Sequence, residues 1–239
     1  MPMKLGWIAL AALAVAAPAL AQKAPPVPDL LKRALATPAK GKLYAYDFEI
    51  VSINTDPKKG PLTTTIRGHT DPSRKKGDRV NITFVEGERD GKPMTAKQID
   101  ENQEKQADGN IFCDTVSKET VTNVVDKGAT ADGHAFTFTP KAEDDQEGEM
   151  KEIMKKMSAD AVIDESTGVL KSFDGRLLKK HNVMLVADIN SASMKMQCVA
   201  LPDGRAYSVR TEFNAKISAF GNNFESSSTQ TLSNVMPVG

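Results

Sequence analysis

The chain has 239 residues, with 31 basic side chains set against 31 acidic ones for a formal net charge of zero. That balance excludes a global field able to gather phosphate backbones or anionic lipid, so nucleic acid is not expected as a partner. The 2 cysteines and 3 histidines are scattered and show none of the short ligand spacings of a zinc site, so neither a metal nor a cofactor is expected.

The opening MPMKLGWIALAALAVAAPALAQ places Lys4 before an apolar run from Leu5 to Ala17 and ends on Ala19-Leu20-Ala21. The run is shorter than the roughly 20 residues that span a bilayer, and it closes on the small-x-small pattern that a signal peptidase cuts. Residues 1–21 are therefore predicted to be a signal peptide cleaved after Ala21, which exports the mature chain. Cys113 and Cys198 then enter an oxidising compartment as the only pair, and a disulfide between them is expected. Residues 22–28 read as a Pro-rich tether, and residues 29–239 as a single domain.

Asp29 caps a short amphipathic helix carrying Leu30, Leu31, Ala34 and Leu35, which must stop before Pro38. KLYAYDFEIVSI follows, with Tyr44, Tyr46, Phe48 and Ile50 alternating against Asp47 and Glu49, the period of a half-buried strand. PLTTTIRGHT and DRVNITFVEGE repeat the pattern and complete a meander. TAKQIDENQEKQADG is polar nearly all round, so it reads as a surface helix or an ordered loop. NIFCDTV, ETVTNVV and GHAFTFTPK are strand-like. In EDDQEGEMKEIMKKMS, Met150, Ile153, Met154 and Met157 fall at helical spacing, which predicts a movable lid helix from about Glu147 to Met157.

Beyond Ala159 every segment is β in character: the hairpin ADAVIDESTGVLKSFDGRLL, then NVMLVADI, SMKMQCVAL, a Pro202-Asp203-Gly204 turn, AYSVRTEFNAKISAF and NFESSSTQTLSNV. Tyr207, Val209, Thr211, Phe213, Ala215 and Ile217 are expected on one face of the most regular strand. The total is about ten strands and roughly three short helices in one sequential antiparallel sheet, a mainly β fold.

Catalytic patterns are missing: there is no Gly-x-Ser-x-Gly, no Walker loop and no Gly-rich strand-to-helix turn. Asp144, Asp145, Asp164 and Glu165 fit capping and turn positions, His69 and His134 fit turns or strand ends, and Arg67, Arg79, Arg176 and Arg210 fit solvent-facing strand positions. An enzyme is not expected. The candidate binding surface is the dry face of the strands: Phe48, Ile50, Ile82, Phe84, Phe136, Phe138, Phe213 and Ile217, with Met154 contributed by the lid helix.

The stretch KKMSADAVIDESTGVLKSFDGRLLKK resembles exported bacterial proteins related to the periplasmic lipoprotein carriers, in which a short helix leads into I-D-x-x-T-G-x-[LV]-x-x-x-x-G-x-L. Ile163, Asp164, Thr167, Gly168, Leu170, Gly175 and Leu177 occupy those positions, and FTFTPK matches the strand that the family places before the helix. The resemblance implies a deeply curved antiparallel sheet, a half barrel, whose apolar concave face is covered by helices. In the carriers that cavity takes the acyl chains of lipoproteins, and relatives bind other lipids or act as envelope-stress sensors. The expected function is therefore reversible burial of lipid or lipoprotein acyl chains, at about 0.8 kcal/mol per methylene, by a monomeric periplasmic protein. The alternative is an envelope interaction or sensor module that binds a protein partner and carries no lipid.

Overall fold

Alternating side chains of the kind described above make strands only if one face is buried, and the protein solves this with a single sheet. A computed structural model describes residues 28–35, 42–76, 79–99, 111–113, 121–141, 149–183 and 187–238. Its described elements are α1 (Asp29–Ala34), β1 (Leu43–Asp56), β2 (Gly60–Lys76), β3 (Arg79–Arg89), β4 (Lys92–Pro93), β5 (Val121–Thr130), β6 (Gly133–Pro140), α2 (Glu149–Met154), β7 (Met157–Ile163), β8 (Leu170–Leu177), β9 (His181–Val183), β10 (Ala187–Ala200), β11 (Ala206–Ala219) and β12 (Asn222–Val238).

The strands form one antiparallel sheet of 12, in the order β4-β3-β2-β1-β12-β11-β10-β8-β7-β6-β5, with β9 beside β10. The sheet is a half barrel: β4 and β5 end it without meeting. The expected sequential order fails where β1 pairs with β12, Phe48 opposite Leu232, and so joins the first meander to the last strand; β4 and β5 stay apart at the two edges, and β8 pairs with β10 past β9. Strand count also exceeds the expectation, since the two-residue β4 and three-residue β9 are too short to leave a hydropathic period.

Residues directly opposite in an antiparallel ladder point to the same side, so the register assigns the faces. Phe48 lies opposite Gly68, which lies opposite Phe84; Phe136 and Phe138 lie opposite Ala161 and Ala159; Met194 lies opposite Phe213. Followed strand by strand, the ladder carries Phe48, Ile50, Phe84, Phe136, Phe138, Phe213 and Ile217 on one dry face. Ile82 stands opposite Thr70 on the same side of the ladder, and its side chain lies outside the described residues. The opposite face is wet: Arg67 donates to both Glu49 and Glu86 across three strands, and Arg176 to Asp160.

Two apolar clusters sit on the dry face. The larger joins Leu31 and Leu35 of the α1 region to Phe136, Phe138, Ile163, Leu170 and Phe173. The smaller gathers Tyr46, Phe48, Phe84 and Leu232 under Ile111, with Ile99 of the helical turn 96–99 packed against it. Cover segment 111–113 straddles both, because Ile111 enters the smaller cluster and Cys113 the larger. Cys113 is bonded to Cys198 of β10, with 6.3 Å between Cα atoms. The strand expected at NIFCDTV is reduced among its described residues to a single bridge, Phe112 to Tyr207.

The lid helix ends sooner than expected. Its described part runs over Glu149–Met154, while Met157 opens β7 opposite Leu177 and so belongs to the sheet. Charge and methionine spacing suit a helix, but β7 must start there to pair with β8, and tertiary pairing overrides the local period. A second correction concerns β11. An extra residue at Val209 leaves Ser208, not Val209, opposite Cys198, so the alternation that includes Tyr207 and Val209 breaks before Thr211. The signal peptide, the tether up to residue 27, Asp144, Asp145, Glu147 and Met184 lie outside the described residues.

Candidate functional site: the open half of the dry face

The cover does not extend over the whole sheet. At the end where β1 turns into β2 and β11 into β12, the dry-face side chains Leu62, Ile217 and Phe224 are 37%, 37% and 39% exposed, and Phe213 further along β11 is 43% exposed. β1, β2, β11 and β12 run past the part of the face that the two clusters fill, and their far ends keep the same alternation with nothing described above them. A groove of about 510 Å³ lies there, with Pro61, Leu62, Ala215, Ile217 and Phe224 as its apolar wall.

The floor is not continuous hydrocarbon. Ladder partners Ser52 and Ser228 place hydroxyls 3.2 Å apart, and one row further out the Ser226 hydroxyl donates to Asn54 Oδ1 at 2.8 Å. A polar seam of Ser, Asn and Gln230 thus runs along β1 and β12 from the smaller cluster to the groove, which Asn54 and Ser226 line. The hydropathy of NFESSSTQTLSNV hides this arrangement, since both faces of that strand are polar and the period gives no contrast. The run of three serines was the only signal in the sequence.

Charge at the groove is mostly committed. Asp56 accepts from the backbone N–H of Lys58 at 2.8 Å and of Lys59 at 3.0 Å, and the Lys58 bond foremost holds its carboxyl below the usual range. Asp90 accepts from the Thr63 N–H at 2.9 Å, and Glu225 from Lys216 Nζ at 2.9 Å. Lys59 also lines the groove, and among the described residues its ammonium forms no ion pair.

Of the residues expected to line a cavity, only Ile217 lines this groove. Phe48, Phe84, Phe136 and Phe138 are buried at 6%, 7%, 1% and 1% exposure in the packed clusters, and Ile50 packs against the smaller one. Met154 is half-buried on α2 and belongs to neither cluster. Burial follows from hydropathy, but which part of a dry face remains open depends on where the cover ends, and that is set by long-range contacts.

Other polar clusters serve the scaffold. Arg205 binds Asp203 at 2.8 Å and lies over the rings of Phe112 and Tyr44, clamping the cover segment to the start of β1. Asp164 ties its turn by accepting from the N–H groups of Ser166 and Thr167, which is the capping role expected of it. His134 is held between Glu165 at 2.8 Å and Asp126 at 2.6 Å and stacks on Phe136. No group of three or more His, Cys, Asp or Glu among the described residues is placed to hold a metal, and no helix among them is long and apolar enough to cross a membrane.

No family model matches the chain, and no curated protein matches it. Among solved structures, a chain of the complex of Pseudomonas aeruginosa MucA/MucB aligns with 88% of this chain and 98% of its own length at 8% identity, with a TM-score of 0.20. A chain of the crystal structure of MucB in complex with MucA(peri) aligns with 81% of this chain and 94% of its own at 9% identity, with a TM-score of 0.16. Scores this low carry no conclusion about partners, and the functional reading below stands on the groove.

Proposed function

We propose that this chain is an exported periplasmic protein that binds a segment of a protein partner in the groove on the open half of its dry face. It acts by binding alone, with no covalent step and no lipid carriage. The observation that supports this reading is the polar seam. An acyl chain laid along the face would cover the paired side chains Ser52–Ser228 and Ser226–Asn54 and could use none of the hydrogen-bonding capacity left beyond those pairs, at a cost of about 1–3 kcal/mol for each donor so stranded. A polypeptide offers both kinds of contact at once: apolar side chains for Leu62, Ile217 and Phe224, and backbone N–H and C=O groups for the seam.

The deeper parts of the face argue in the same direction. Long hydrocarbon needs a continuous empty slot, and the two clusters where one would lie are filled by α1 and by Ile99, Ile111 and Cys113. About 510 Å³ falls within the usual range of roughly 300–1,000 Å³ for ligand pockets and suits a few residues of extended peptide. The bond between Cys113 and Cys198 supports an oxidising compartment.

The test is a photoreactive side chain at Ile217, with Val85 as control because it is 70% exposed on β3, away from the groove. In cells of the source organism, Ile217 should yield peptide adducts of one defined partner that Val85 does not. Adducts to phospholipid or lipoprotein acyl chains at Ile217 would return the protein to the lipid-binding reading.

A further inference from the structure

Resting on that reading, we infer that the bound segment presents a lysine or arginine beside a large aliphatic side chain, with Asp90 receiving the cation and Leu62, Ile217 and Phe224 the aliphatic neighbour. Charge complementarity sets the sign. The groove is lined by three carboxylates, Asp56, Asp90 and Glu225, against the single ammonium of Lys59. Glu225 is paired with Lys216, and Asp56 accepts from the backbone N–H groups of Lys58 and Lys59 and feels the charges of both side chains. Asp90 differs from both: its Oδ1 accepts the Thr63 N–H at 2.9 Å, and among the described residues it forms no ion pair. The three carboxylates do not gather into a metal site among the described residues, so the cation they suit is an ammonium or a guanidinium. A partner satisfies both walls only if its positive group and its aliphatic group are close together.

The edge of β2 gives a second, independent observation, on how the segment is held. β2 runs past the end of β3, which stops at Arg89 opposite Thr64, so the outer side of its first residues would be open to an added strand. Asp90 closes that edge. Its own N–H donates to the Thr63 carbonyl oxygen at 2.9 Å while its Oδ1 accepts the Thr63 N–H. Pro61, the next residue whose backbone faces the same side, has no N–H to donate. Strand addition therefore finds no free ladder here, and recognition falls to side chains. Asp90 Oδ2 has no partner among the described residues, the apolar wall lies beside it, and Asn54 and Ser226 remain on the floor for the backbone of the segment.

The experiment uses two fluorescein-labelled peptides, Ser-Leu-Arg-Ile-Gly and the same sequence with citrulline, the neutral isostere of arginine, both C-terminally amidated and measured by anisotropy against the mature full chain. The arginine peptide should bind the wild-type protein roughly twofold to fivefold more tightly, a preference that weakens with salt. Asp90→Asn keeps an acceptor for the Thr63 N–H and suits the φ of 50° at this position, so it should leave the unfolding midpoint in place and make the two peptides equal. Asp56→Asn removes a charge that Lys58 and Lys59 already offset, so the preference should survive it. Ile217→Ala should weaken both peptides alike. Equal affinity of the two peptides for the wild type, or a preference that survives Asp90→Asn, overturns the inference and leaves the groove reading intact if Ile217 still crosslinks to protein. Affinities that Ile217→Ala leaves unchanged overturn it as well, because the peptides would then sit elsewhere. Binding of neither peptide overturns the inference, and the Ile217 crosslink alone then decides the groove reading.

Discussion

Replacing Cys113 and Cys198 together by Ala removes the one covalent tie between the cover and the sheet. The two residues are 85 apart in sequence, so the bond closes a long loop in the unfolded chain. Losing the tie restores about 15 cal/mol/K of loop entropy, which at 25 °C is about 4.6 kcal/mol on the chain-entropy account. That is a large share of the roughly 5–15 kcal/mol by which domains are stable. Cys113 is fully buried in the larger cluster, and Ala leaves only a small void there, so the packing loss is minor beside the entropic one. Urea unfolding followed by circular dichroism measures the difference, and the m-value should rise because the unfolded chain exposes more surface once the loop is open. Reduction of the wild-type protein under the same conditions should reproduce the double variant. A fall in stability below about 1 kcal/mol, with an unchanged m-value, would refute the reasoning, because the cover would then be held by its other contacts alone.

Three further outcomes follow from packing and titration. His134 titrates above its ordinary value, raised first by Glu165 and then by Asp126, so its favourable contribution is complete below about pH 6.5 and is lost as pH rises through the folded value. His134→Gln should flatten the decline of the urea midpoint on the alkaline side, and an unchanged profile would remove His134 from the effect. Gly68→Ala should cost about 1–3 kcal/mol, since a methyl there meets the Phe48 ring and comes within 2.6 Å of the Thr83 carbonyl oxygen; a neutral thermal midpoint would contradict the close approach. Phe138→Ala, at a position 1% exposed in the larger cluster, should cost about 3–5 kcal/mol in urea unfolding, and a loss under about 1 kcal/mol would show that the ring is not core.

Much of the architecture could be read from alternation alone. Phe48, Ile50, Phe136 and Phe138 announce a dry face because their neighbours are polar, and the ladder puts them on one side. Pairing between distant strands could not be read, because nothing local in β1 names β12 as its neighbour. The lid helix stops early for a related reason. Met157 keeps helical spacing with Met150 and Met154, yet its hydrogen bonds go to β8. The groove was the least legible part. Ile217 was visible as an apolar strand residue, but Lys59, Asp56 and Asp90 belong to no sequence pattern, and they meet only because β1–β2, β3–β4 and β11–β12 turn at the same end of the sheet.

The central claim, that the dry face receives polypeptide and not hydrocarbon, is tested most directly by a native mass spectrum of the mature protein purified from its own envelope without detergent. The account predicts the bare chain mass, or that mass plus a peptide or protein, because the apolar clusters are filled and the open groove carries Asn54 and Ser226 on its floor, with the Ser52–Ser228 pair one row further in. A stoichiometric adduct with the mass of a phospholipid or free fatty acid would contradict it.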